Sequence, residues 1–119
     1  MSKKILVVDD EPEDLNTMKT ILEEEGYKVS TASDGLEALK FLTGNGFDLI
    51  LIDIKMPSLS GYDLLRLLRE KLNHKVKMAY VSIVPEKEID MTDIDGFIQK
   101  PFSPESFLEG VKKAIGGKK

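Results

Sequence analysis

The chain has 119 residues, 41% of them apolar and 32% charged, enough for one globular domain and too few for a second. Its net charge of −4 argues against a nucleic-acid-binding face, and the absence of cysteine excludes disulfides and thiolate metal sites. No apolar run approaches the roughly 20 residues that span a bilayer, and the start, Met1-Ser2-Lys3-Lys4 and a short apolar run to Val8, lacks the form of a signal peptide. The expectation is a single cytoplasmic domain over 1–119, with no membrane insertion and no direct nucleic-acid partner.

Ile5-Leu6-Val7-Val8 is a continuous apolar run of strand length, the pattern of a strand covered on both faces. Pro12 suits the first turn of a helix that carries Leu15, Met18, Ile21 and Leu22 at helical spacing and stops at Gly26. Lys28 to Ala32 reads as a second strand. Asp34-Gly35-Leu36-Glu37 has the spacing of a capping box and opens a helix bearing Leu36, Leu39, Phe41 and Leu42, which stops near Gly44. Asp48 to Asp53 is a second strongly apolar strand and is placed at the sheet centre. Gly61 to Lys71 carries the stripe Leu64, Leu65, Leu67 and Leu68. Val76 to Val81 and Gly96 to Gln99 are the last two strands. Ser103-Pro104-Glu105 caps a final helix with Phe107, Leu108, Val111 and Ile115, closed by Gly116-Gly117.

Strands alternating with helices over short connections predict an α/β fold with a parallel sheet covered on both faces. Five strands predict a doubly wound, flavodoxin-like order 2-1-3-4-5, whose ligand site lies at the carboxyl ends of the strands near the switch point. Strand 1 ends in Asp9-Asp10, strand 3 in Asp53, strand 4 at Ser82, and strand 5 at Lys100-Pro101. Any one of these is ordinarily a turn or loop residue. Together they put three carboxylates on one rim, where they repel unless a cation holds them. Oxygen donors of this kind suit Mg²⁺, whereas Zn²⁺ is disfavoured without cysteine and with the sole histidine, His74, assigned to a distant surface loop.

Four motifs then occur in order: Val7-Val8-Asp9-Asp10-Glu11-Pro12, Leu51-Ile52-Asp53-Ile54-Lys55-Met56-Pro57 with Gly61, Ser82 closing a strand, and Phe97-Ile98-Gln99-Lys100-Pro101-Phe102. Over nearly its whole length the chain resembles the receiver domain of two-component response regulators, as a single domain of the chemotaxis-regulator kind. The resemblance implies a phosphorelay switch: Asp53 accepts a phosphoryl group from a sensor histidine kinase or phosphotransfer protein. It implies Mg²⁺ held by Asp9, Asp10, Asp53 and the backbone carbonyl of Lys55, with Ser82 and Lys100 contacting phosphoryl oxygens. A cis peptide before Pro101 and a switch pair, Ser82 with the aromatic Phe97, belong to the same pattern. Catalysis is limited to the domain's own phosphorylation and slow autodephosphorylation, and the downstream protein target is unspecified.

The chain also departs from that pattern. Between Ser82 and Lys100 it is about one helical turn short, and Ile89 and Met91 supply nearly all the apolar surface there. The helix between strands 4 and 5 is therefore expected to be a single turn or absent. Ile83 places a branched side chain beside the approach to Asp53. The competing reading within the fold is an unphosphorylated pseudo-receiver acting as a protein-interaction module. An aspartate-based phosphatase would need an acid at position 55, where Lys55 stands. A flavodoxin would set its cofactor phosphate against Asp9, Asp10 and Glu11.

Overall fold

Alternate residues of each inner strand face opposite sides of the sheet, so a strand apolar at every position needs cover on both. The computed structural model, which describes residues 2–41, 46–72 and 76–116, supplies that cover. The elements follow in the order β1 (Lys4–Val8), α1 (Pro12–Glu24), β2 (Lys28–Ala32), α2 (Gly35–Lys40), β3 (Leu49–Ile52), α3 (Gly61–Lys71), β4 (Lys77–Ser82), β5 (Gly96–Gln99) and α4 (Pro104–Gly116). All pairings are parallel, and the sheet order is β2-β1-β3-β4-β5, as the strand pattern predicts.

The core divides along the strand alternation. Leu6, Val8, Ile50, Ile52, Met78 and Tyr80 point to one face, under Ala38 of α2 and Leu64, Leu65 and Leu68 of α3. Ile5, Val7, Leu49, Leu51, Ala79 and Val81 point to the other, under Met18 and Leu22 of α1 and Phe107, Val111 and Ala114 of α4. Shifting any inner strand by one residue would exchange the two sets, so packing fixes the register.

The helix ends follow local chemistry. At the end of α1, Gly26 takes φ +97°, its amide bonds the Glu23 carbonyl at 3.0 Å and the Tyr27 amide bonds the Leu22 carbonyl at 3.1 Å, a Schellman closure. The Asp34 side chain accepts from the Glu37 amide at 2.7 Å, as its spacing predicts. The reciprocal bond is displaced by one residue, because Glu37 accepts from the amide of Ser33, not from that of Asp34. Leu36, expected in the buried stripe of this helix, is 67% exposed: with the cap at Asp34, Gly35 and Ala38 occupy the inward face. The expected helix stop at Gly44, the loop assignment of His74 and the terminal Gly117, Lys118 and Lys119 lie outside the described residues.

The fourth crossover, from β4 to β5, holds only a single 3₁₀ turn at Glu86–Glu88, which matches the expected shortening. Side chains hold it in place of a helix. Ile89 is buried against the Tyr80 face of the core. Arg69 of α3 donates to the Asp93 carbonyl at 2.7 Å, the Val76 carbonyl at 3.0 Å and the Asp95 carboxylate at 3.1 Å. No helix among the described residues is long and apolar enough to cross a membrane.

Candidate functional site

The strand ladders run on past the strands themselves, and this aligns the site. The Asp9 amide bonds the Ala32 carbonyl at 3.1 Å and the Asp53 amide bonds the Val8 carbonyl at 2.9 Å, so the tips of β1 and β3 stay side by side. Asp9, Asp10 and Asp53 each present a carboxylate oxygen, and these lie within 4.8 Å of one another. Asp9 and Asp53 are buried, and Asp10 is half-buried. On the other side of β3, the Lys100 amide bonds the Ser82 carbonyl at 2.9 Å, extending the β4–β5 pairing by one residue. The Lys100–Pro101 peptide is cis.

Asp9 is held at both oxygens: Oδ1 accepts from the Glu11 amide at 2.9 Å, and Oδ2 from Lys100 Nζ at 2.8 Å. Asp53 Oδ1 accepts from the Lys55 amide at 3.3 Å. Burial, reinforced by the charge of Asp9 and less by that of Asp10, pushes the Asp53 carboxyl up to about 7, against the opposing pull of Lys100 and the Lys55 amide. Burial works against the Lys100 ammonium, but the hydrogen bonds it donates to Asp14 and Asp9 outweigh that and hold this group above the usual lysine range. The rim is thus a cluster of hard oxygen donors short of positive charge. Such a donor set fits Mg²⁺, which takes one or two carboxylates and completes its shell with water and phosphate oxygens.

Ser82 is buried at the end of β4, and its Oγ accepts from the Val84 amide at 3.2 Å, which leaves the hydroxyl proton available to a ligand. Phe97 is half-buried and packs against the face of the core that holds Tyr80. Ile83 lies 62% exposed beside Ser82. All of Asp9, Asp10, Asp53, Ser82 and Lys100 therefore converge on the carboxyl edge of the sheet.

Two participants are not evident from the sequence pattern. Asp14, in the first turn of α1, accepts from Lys100 Nζ at 2.8 Å. Gln99 donates from Nε2 to the carbonyls of Ser82 at 3.0 Å and Val84 at 3.2 Å, tying β5 to the start of the fourth crossover. Gly61 has a different role. A Cβ there would overlap the Asp53 carbonyl oxygen and come within 2.7 Å of Ile54 Cα, so only glycine lets the start of α3 reach the turn after β3.

Comparison with known proteins agrees with this geometry. Residues 5–112 match the family described as response regulator receiver domain. The chain is 39% identical over 121 residues to the alkaline phosphatase synthesis transcriptional regulatory protein PhoP of Bacillus subtilis, covering 97% of the chain and 49% of PhoP. It is 38% identical over 120 residues to the response regulator GtcR of Aneurinibacillus migulanus, covering 95% of the chain and 46% of GtcR. The chain thus spans about half the length of these relatives. Among solved structures, TrrA of Thermotoga maritima, in complex with Mg²⁺-BeF, superposes with TM-score 0.84 at 35% identity, covering 94% of this chain and 98% of TrrA. The chemotaxis protein CheY4 of Vibrio cholerae superposes with TM-score 0.86 at 28% identity, covering 96% and 99% of the two chains.

Proposed function

The chain belongs to the response regulator receiver domain family, and from that premise we propose that it is a phosphorelay switch whose phosphoacceptor is Asp53. The observation that carries this reading is the meeting of Asp9, Asp10 and Asp53 within 4.8 Å, with Lys100 bonded to the cluster at 2.8 Å. The phosphoryl donor is a phosphohistidine on a sensor kinase or phosphotransfer protein in the cytoplasm. A carboxylate oxygen of Asp53 forms the new P–O bond as the P–N bond to the donor imidazole breaks. The Lys55 amide engages Oδ1, so Oδ2 is the oxygen assigned to the attack. Asp9, Asp10 and Asp53, with the Lys55 carbonyl, would hold Mg²⁺, which when bound supplies positive charge against the phosphoryl oxygens.

The remaining work is positioning and electrostatic stabilisation, which suffices for phosphoryl transfer. Lys100 pairs with one phosphoryl oxygen and the Ser82 hydroxyl donates to another. A shift of Ser82 toward the phosphoryl group would draw on the Val84 and Gln99 bonds around it, and Phe97, on the neighbouring strand, is the side chain placed to respond. The partner-binding surface that follows is then shaped by the fourth crossover, which carries one 3₁₀ turn where a helix would otherwise stand. A pseudo-receiver would not require this full set of acids, hydroxyl and lysine, which favours the phosphoacceptor.

Intact-mass measurement with acetyl phosphate and Mg²⁺, on the parent and on Asp53→Asn, tests the proposal. One added phosphoryl group in the parent and none in the variant is the expected result. An unmodified parent, or equal modification of both, would overturn it.

A further inference from the structure

Lys100 is shared between two acids, and one of them stands outside the carboxylate cluster. Its Nζ lies 2.8 Å from Asp9 Oδ2 and 2.8 Å from Asp14 Oδ2. We propose that Asp14 is a positioning residue, a latch that retains Lys100 in the unphosphorylated protein and competes with the phosphoryl group for it. The inference rests on the phosphoacceptor reading and adds a regulatory element to the same site.

The two acids differ in how they are held. The Asp9 side chain is fully buried and its other oxygen is fixed by the Glu11 amide, so Asp9 cannot retreat from the lysine into solvent. The Asp14 side chain is 42% exposed. It stands in the first turn of α1, where Pro12 fixes the start of the helix and the helix dipole favours a negative charge. Among the described residues the ion pairs of Lys100 are those with Asp9 and Asp14, and none joins it to Asp53. The competition is therefore one of position: although a third N–H donor is left, the ammonium has to leave its seat beside Asp14 to reach a phosphoryl oxygen on Asp53. A phosphoryl group on Asp53 adds a further anionic acceptor. Asp14 is the acceptor that water can take over at least cost, so the lysine is transferred from Asp14 to the phosphoryl oxygen. Removing the Asp14 charge frees Lys100 in advance and strengthens its grip on the phosphoryl group.

Beryllofluoride binding in saturating Mg²⁺ reports that grip without acyl-phosphate turnover. Asp14→Asn is expected to bind it about three- to tenfold more tightly than the parent, the scale of one partly exposed charge-assisted hydrogen bond. Glu13→Gln removes an equal charge from the same turn, where Glu13 is exposed, and is expected to change affinity by less than about twofold. In a Lys100→Met background the Asp14→Asn gain should vanish. The ¹⁵N resonance of Lys100 Nζ in the metal-free protein gives a readout independent of any ligand, shifted in Asp14→Asn and unmoved in Glu13→Gln. An Asp14→Asn variant no tighter than Glu13→Gln, or a gain that survives in Lys100→Met, overturns the latch alone. A parent that binds no beryllofluoride overturns the phosphoacceptor reading, and the latch with it.

Discussion

Asp53→Asn should stabilise the metal-free protein, and by an amount that depends on pH. The native carboxyl is raised from 3.8 to about 7, so between those values the folded state holds a proton that the unfolded state has lost. Stability from this group is complete below pH ~4 and falls as pH rises, until Asp53 is ionised in both states above pH ~7. At about 1.36 kcal/mol per pH unit of displacement the full loss is about 4 kcal/mol, and water entry at the rim reduces it to about 2–3 kcal/mol. Asparagine has the same shape and no such titration. Urea denaturation in EDTA from pH 4 to 8.5 should therefore show a parent–variant difference that grows by about 2–3 kcal/mol with rising pH. Saturating Mg²⁺ should stabilise the parent above pH 7 and narrow that difference. A difference independent of pH would refute the burial-and-repulsion account of Asp53, whatever its sign.

Gly61→Ala should cost about 2–3 kcal/mol, because the added methyl meets backbone at Asp53 and Ile54 that no side-chain rotation can clear. Thermal denaturation measures the loss, and phosphorylation by acetyl phosphate should fall with it; a variant matching the parent in both would show that α3 can back away freely. Arg69→Gln removes the donors to Asp93, Val76 and Asp95 and should cost about 2 kcal/mol. Trypsin should then cut more rapidly after Lys87, and an unchanged digestion rate would show that Ile89 alone holds the crossover.

The strand order and the rim were legible because they rest on short-range signals. The inner strands carry apolar runs on both faces, and a polar residue stands at the carboxyl end of each of β1, β3, β4 and β5, so topology brings Asp9, Asp53, Ser82 and Lys100 to one edge. The shortened fourth crossover was legible from its poverty in apolar residues. Asp14 was not, since an acid in the first turn of a helix needs no partner to be explained, and its lysine lies 86 positions away. Arg69 was hidden for the same reason: its carbonyl acceptors carry no sequence signature. Leu36 misled because helical periodicity identifies a stripe but not which rotation of a six-residue helix a small Gly35–Ala38 face will select.

Lys100 follows β5, which is paired on one side only, whereas Asp9 and Asp53 follow strands paired on both. Thermal fluctuations open a sheet from its margins inward. A brief detachment of β5 would carry the ammonium off while the acids stay assembled, so the cationic arm of the centre is its least durable part. Amide exchange should rank accordingly, with Ile98 exchanging sooner than Leu51.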